Sequence, residues 1–138
     1  MYSFRKSKKG FTLIELMVVV AIIGVLALLG LRVYSTQQEK AKVALVKANA
    51  GTIQVQIQTY LVDGTVGAAI LDLAATPCTI ISSSNIFNPY DNVQQKANSA
   101  AGVKGLVYVT ETSDIFYVNG SDSAGNAVYS GVGLLAQK

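Results

Sequence analysis

At 138 residues the chain has room for about one domain, and its 51% apolar and 14% charged content excludes a disordered polymer. The formal net charge of +3 would suit a polyanionic partner, but four of the eleven basic residues (Arg5, Lys6, Lys8, Lys9) lie in the first ten positions. Without those positions seven Lys/Arg stand against eight Asp/Glu, so the basic character belongs to a leader. The chain has no histidine, and Cys78 is its only cysteine. Two-histidine metal sites, Ser-His-Asp and Cys-His pairs and an intrachain disulfide are thereby excluded. Cys78 reads as a small, half-buried apolar residue.

The leader, residues 1–10, ends at Gly10, and an apolar run begins at once. Among residues 11–31 only Thr12 and Glu15 have polar side chains. About 20 apolar residues suffice to span a bilayer as a helix, and Lys/Arg on the short N-terminal flank places that flank in the cytoplasm. A secretory signal has a shorter apolar region with the small residue after it; here Gly10 comes before the run. An ordinary anchor leaves Glu15 unexplained, since an Asp at the bilayer centre costs about 2.5–3.5 kcal/mol and intramembrane carboxylates are functional candidates.

The stretch Lys9-Gly10-Phe11-Thr12-Leu13-Ile14-Glu15-Leu16-Met17-Val18-Val19-Val20-Ala21-Ile22-Ile23-Gly24-Val25-Leu26 resembles the class III signal of bacterial type IV pilins and pseudopilins. The resemblance covers about the first 35 residues. It implies cleavage by a prepilin peptidase between Gly10 and Phe11 on the cytoplasmic side, and N-methylation of the new Phe11 amine. It further implies a precursor held in the inner membrane, then a subunit of an extracellular type IV pilus on the cell surface. A pseudopilin of a type II secretion or competence (DNA uptake) system is the alternative. The implied partners are other copies in a helical homopolymer, the peptidase, and an inner-membrane assembly platform with its ATPase. No enzyme activity and no cofactor are expected. Direct nucleic-acid binding is not expected either, because the head beyond the helix has only Lys96, Lys104 and Lys138 as basic residues.

Glu15 lies one helical turn from Phe11. In a filament with its apolar helices at the centre, Glu15 pairs with the Phe11 amine of a neighbouring subunit. Desolvation offsets much of the attraction, so the pair acts chiefly as a docking key that penalises wrong registers. Gly24 and Gly30 are candidates for local helix unwinding. The family's usual proline is Arg32 here, which puts that unwinding in question; Arg32 also marks where the helix leaves the apolar layer.

Helical periodicity continues beyond Arg32. Val43, Val46, Ala50, Ile53, Ile57 and Tyr60 recur every three or four residues as one face. The helix is expected over about residues 11–62, with Asp63-Gly64 as a left-handed stop. Residues 32–138 comprise this amphipathic half and a globular head.

Within the head, residues 65–101 correspond by position to the connecting loop of pilins. Val66 to Leu73 reads as a short helix, Pro77 and Asn88-Pro89 as interruptions, and Ser82-Ser83-Ser84 as an exposed loop and a weak O-glycan candidate. Strands are expected at Leu106–Val109, at Ile115–Val118, and at Ala127–Tyr129 with continuation through Val132 to Leu135. The connecting loops are then 110–114 and 119–126. The fold class is therefore α+β: a long N-terminal helix packed against a small antiparallel sheet at about 105–135. Asp122, Asn126 and Asp91 offer oxygen ligands of the kind calcium takes, although Asp-Ser-Ala-Gly-Asn is first a turn sequence. Asn119-Gly120-Ser121 fits a glycosylation acceptor, with a hairpin loop as the plain alternative.

Overall fold

The computed structural model describes residues 10–75, 78–131 and 133–137. The leader through Lys9, the interruption at Pro77, the Val132 link of the expected last strand, and Lys138 lie outside the described residues. The chain divides into two compact units, one ending at Gln37 and the other beginning at Gln38. One helix, α1 (Leu13–Asp63), contributes to both.

In the first unit every described residue is exposed. The helix there is apolar on all sides, so no face can pack on a core while another meets water. It is long and apolar enough to cross a membrane. Gly24 and Gly30, the candidates for unwinding, lie in unbroken α-helix. Near Arg32 the helix carries two further bonds: the Arg32 carbonyl accepts from Ser35 Oγ at 3.0 Å and Thr36 Oγ1 at 3.2 Å. Such back-bonding hydroxyls compete with the helix ladder and often bend it.

The second unit is the head. α1 buries Val46, Ala50, Ile53, Ile57 and Leu61, a stripe with helical spacing. Val43 and Tyr60, at the edges of the expected face, are half-buried. The stop at Gly64 differs from expectation, because Gly64 is absent from the positive-φ residues. Its N–H closes on the Tyr60 carbonyl at 2.9 Å, and a Cβ there would come within 2.9 Å of that same oxygen. Glycine serves close approach at this position, not handedness.

Two short helices follow. α2 (Val66–Ala74) is capped by Thr65, whose hydroxyl accepts from Ala68 N. α3 (Thr79–Ser83) holds two of the three serines expected in an exposed loop. Ser83 Oγ donates to Ile80 O at 3.0 Å, and Ser84 Oγ donates to Ile81 O at 2.6 Å. The three serines end a helix, which corrects the loop expectation.

The sheet is antiparallel with order β1-β2-β3: β1 (Val107–Thr112), β2 (Ile115–Gly120) and β3 (Leu134–Gln137). The expected loop 110–114 contracts to a two-residue turn at Ser113 and Asp114, both at positive φ (56° and 65°). β2 runs through Asn119 and Gly120, which were expected to be loop. The expected strand at Ala127–Tyr129 is not one: Ala127 makes a single bridge to Ser121, and the third strand begins at Leu134. Apolar alternation cannot show which run reaches β2, and the Asp122–Asn126 turn folds residues 127–129 back alongside the β2 end. Val107, Val109, Phe116, Val118 and Ala136 from the sheet form one core with Ala50, Ile53, Ile57 and Leu61 of α1, Ala69 and Leu73 of α2, and Cys78, Ile80 and Ile81. Gly120 lets helix and sheet meet, since a Cβ there would collide with Val46 Cγ1.

Candidate functional site

The chain enters α1 through Gly10, Phe11 and Thr12 in non-helical backbone, with Phe11 87% exposed. Glu15 Oε2 accepts from the Thr12 N–H at 2.9 Å and from Thr12 Oγ1 at 2.8 Å. In return Thr12 Oγ1 accepts from the Glu15 N–H at 3.3 Å. This reciprocal pair is a capping box: a hydroxyl at the cap and a carboxylate three residues later satisfy main-chain donors that a helix start leaves open. It also places negative charge at the positive end of the helix dipole. Sequence reasoning missed this role, although Thr-x-x-Glu directly before an apolar run is its signal. In the single chain the hydrogen bonds of Glu15 go to Thr12. A carboxylate has about four lone-pair sites, so the same group can still receive an amine.

The other sequence candidates are dispersed. Asn119 is 3% exposed within β2; its Nδ2 donates to Tyr129 O at 3.2 Å, and its Oδ1 accepts from the Gly120 and Tyr129 N–H groups. The nitrogen a glycan would occupy is engaged inside the head, and the place of Asn119 in β2 corrects the hairpin-loop reading. Asp122 Oδ1 accepts from the N–H groups of Ala124 and Asn126 at 2.8 Å each, and Asn126 Nδ2 donates to Asp122 Oδ2 at 3.3 Å. Those bonds hold the Asp122 carboxyl below its usual range, the Asn126 main-chain bond foremost and against some desolvation. Asp91 Oδ1 accepts from Val93 N at 2.9 Å. Asp122 and Asp91 thus shape turns, and no group of three or more metal-capable side chains occurs among the described residues.

Two polar clusters fasten the head. Tyr90 OH donates to Glu39 Oε1 at 2.8 Å, and Lys104 Nζ and Lys42 Nζ lie 4.6 Å and 5.1 Å from its ring centre. Bonds from Ser123 and Tyr90 keep the Glu39 carboxyl below its usual range, while burial and Glu39 push the Tyr90 hydroxyl up to about 12. Asp72 accepts from the N–H groups of Thr79 (3.2 Å) and Ile80 (2.9 Å) and from Cys78 Sγ (3.3 Å), capping α3 from outside. Burial opposes the charged form of Asp72, but these bonds together outweigh it and lower its pKa. Burial, with help from Asp72, pushes the Cys78 thiol up to about 11. Cys78 is a buried packing and capping residue.

Residues 5–31 match the family model of the prokaryotic N-terminal methylation motif. The chain is 45% identical over 60 residues to the type IV major fimbrial protein FimA of Dichelobacter nodosus, covering 44% of this chain and 38% of that relative. It is 33% identical over 110 residues to a fimbrial protein of Moraxella nonliquefaciens, covering 79% of this chain and 70% of the relative. It is also 39% identical over 59 residues to type II secretion system core protein G of Pseudomonas aeruginosa, covering 43% and 42%. The matches span only 36–38% of the length of two FimA sequences and 53% of a probable minor fimbrial protein of the same species. No solved structure matches. A short N-terminal motif alone can sit on many heads, but a match of 110 residues extends well past the 51-residue α1: the chain belongs to the type IV pilin family.

Proposed function

We propose that this chain is a structural subunit which, after cleavage between Gly10 and Phe11 and methylation of Phe11, polymerises into an extracellular type IV pilus. The observation that carries the reading is the first unit of the molecule: an apolar helix exposed on every side, opened by the Thr12–Glu15 cap just after Gly10-Phe11. Such a surface needs lipid or other apolar helices around it. The membrane holds the precursor, with the leader on the cytoplasmic side. Assembly then exchanges lipid for neighbouring copies. The role is mechanical, and its partners are other copies, a prepilin peptidase and an inner-membrane assembly platform with an ATPase.

The Glu15 carboxylate, already fixed by Thr12, is the docking group for the Phe11 amine of a neighbour. Its local bonds set the direction from which an amine arrives, so capping and docking use the same geometry. Gly24 and Gly30 give the helix two positions of low propensity where packing among copies can loosen it.

The type II secretion relative keeps a pseudopilin reading open. The longer match to a fimbrial protein favours the pilus. The deciding test is mass spectrometry of filaments sheared from cells. The expected N-terminal tryptic peptide runs from Phe11 to Arg32 with one added methyl group, from the most abundant filament protein. A chain absent from surface filaments, whose deletion stops secretion of an enzyme while pili persist, would establish the pseudopilin.

A further inference from the structure

The sheet has two unlike faces. Val107, Val109, Phe116 and Val118 turn inward to the core, so Tyr108, Thr110, Thr112, Tyr117 and Asn119 lie on the face away from α1. The register sets Tyr108 opposite Asn119 and Thr110 opposite Tyr117, which makes the two tyrosines diagonal neighbours on adjacent strands. With Gly131, these outward residues line an open recess of about 410 Å³. Small-ligand sites run from about 300 to 1,000 Å³. No lining residue among those described carries a charge.

The recess joins aromatic rings to unengaged hydroxyls. Elsewhere in the head, Tyr90 OH donates to Glu39 Oε1 and Tyr129 OH donates to the Lys47 carbonyl. The hydroxyls of Tyr108, Thr110, Thr112 and Tyr117 have no hydrogen-bond partner among the described residues. Both tyrosines are half-buried, and both threonines are exposed. The surroundings are fixed independently of any ligand. Asn119 Nδ2 donates to the Tyr129 carbonyl and Asn119 Oδ1 accepts from the Tyr129 N–H, both at 3.2 Å. Gly133 passes so close to β2 that a Cβ there would come within 2.5 Å of the Val118 carbonyl oxygen. Strand pairing and these contacts leave little to be ordered on binding.

We propose that this recess binds one ring of a neutral saccharide. The negative face of an aromatic ring receives the weakly positive C–H groups of a pyranose. Its hydroxyl rim both donates and accepts, as tyrosine and threonine hydroxyls do. Other ligand classes fit less well. A charged ligand would lie here without a counter-charge, and a nucleic acid would find no cation for its phosphates. A hydrocarbon chain would leave the hydroxyls without partners. An added peptide strand pairs at a sheet edge, whereas the recess lies on a face. This inference goes beyond the pilus reading and does not depend on it.

The test uses the full chain in lauryldimethylamine oxide, a detergent without a sugar headgroup. Lactose, maltotriose and N,N′-diacetylchitobiose are titrated in turn, and main-chain amide shifts are followed by NMR. At least one sugar is expected to give saturable shifts at Tyr108, Thr110, Thr112 and Tyr117, and glycerol none. Tyr108→Phe/Tyr117→Phe is expected to keep the rest of the head spectrum, since the lost hydroxyls hold nothing within it, and to weaken binding by about fivefold or more. No saturable shift with any of the three sugars, shifts centred outside the recess, or undiminished binding by the double variant overturns the proposal. So does a Pro-rich peptide that saturates these amides where the sugars do not. If the double variant loses β1–β2 amide protection, Thr110→Val decides in its place: weaker sugar binding supports the site, and unchanged binding removes it.

Discussion

Glu15 has two claims on its carboxylate: the Thr12 cap within the chain and the amine of a neighbour in a filament. The two separate chemically, because glutamine at the third helical position also completes a capping box but carries no charge. Glu15→Val is expected to assemble poorly, and Glu15→Gln is expected to keep the helix start and still assemble as poorly, scored by filament yield against total processed subunit. Restored yield in the glutamine variant would assign Glu15 to capping alone. Cys78 gives a simpler expectation. With its pKa near 11, about one thiol in a thousand is ionised at pH 8, against about a quarter for an unperturbed cysteine. Burial removes access as well. Alkylation by iodoacetamide at pH 8 should be negligible in native protein and complete once it is unfolded in urea; rapid native labelling would contradict the buried placement.

Among the elements, the β1–β2 hairpin is the one most open to improvement. Ser113 and Asp114 both hold left-handed backbone, which costs an ordinary residue about 1–2 kcal/mol and glycine little. The Asp114 N–H donates to Glu111 Oε1 at 2.9 Å, a bond that a glycine keeps. Asp114→Gly is expected to stabilise the head by about 1 kcal/mol, read as a shift in its urea midpoint; an unchanged or lower midpoint would mean that the carboxylate makes a compensating contribution. The same turn explains why the sequence reading split 110–114 off as a loop. Thr110, Glu111 and Thr112 are polar and exposed, but they are paired with Tyr117, Phe116 and Ile115. Strand pairing needs main-chain groups, which every one of them has.

Over the whole head, carboxylates tie separate segments together. Asp72 links α2 to the start of α3, and Glu39 links α1 to Tyr90. Both have lowered folded-state pKa values. The native state therefore binds fewer protons than the unfolded state across the carboxylate range, and stability rises with pH there. The contribution is present above the unfolded pKa of about 4 and is lost as pH falls through the lower native values. Thermal melts from pH 7 to pH 2 should show this loss, and Asp72→Asn/Glu39→Gln should flatten the acid limb. An acid limb unchanged by both substitutions would place the titrating groups elsewhere. At the alkaline end the raised Cys78 pKa acts in the opposite sense, so stability falls between about pH 8.5 and 11.

The sequence by itself determined the N-terminal half. An unbroken apolar run, a basic flank and one misplaced carboxylate are local facts, and a helix forms from local hydrogen bonds whatever lies around it. The α1 stripe and α2 were legible for the same reason: a 3.6-residue period reports which face is buried. The tertiary structure alone decided the rest of the head. The third strand, expected at 127–129 with continuation through Val132 to Leu135, lies at Leu134–Gln137, because strand partners are set by distant chain and not by alternation. Asn119 went from a loop to a buried strand residue, and Ser82 to Ser84 from a loop to a helix end. Gln95 and Asn98 carried no signal at all. A carboxamide in a loop is ordinary in sequence, and it becomes a sheet partner only when the chain brings Val107 and Val109 alongside.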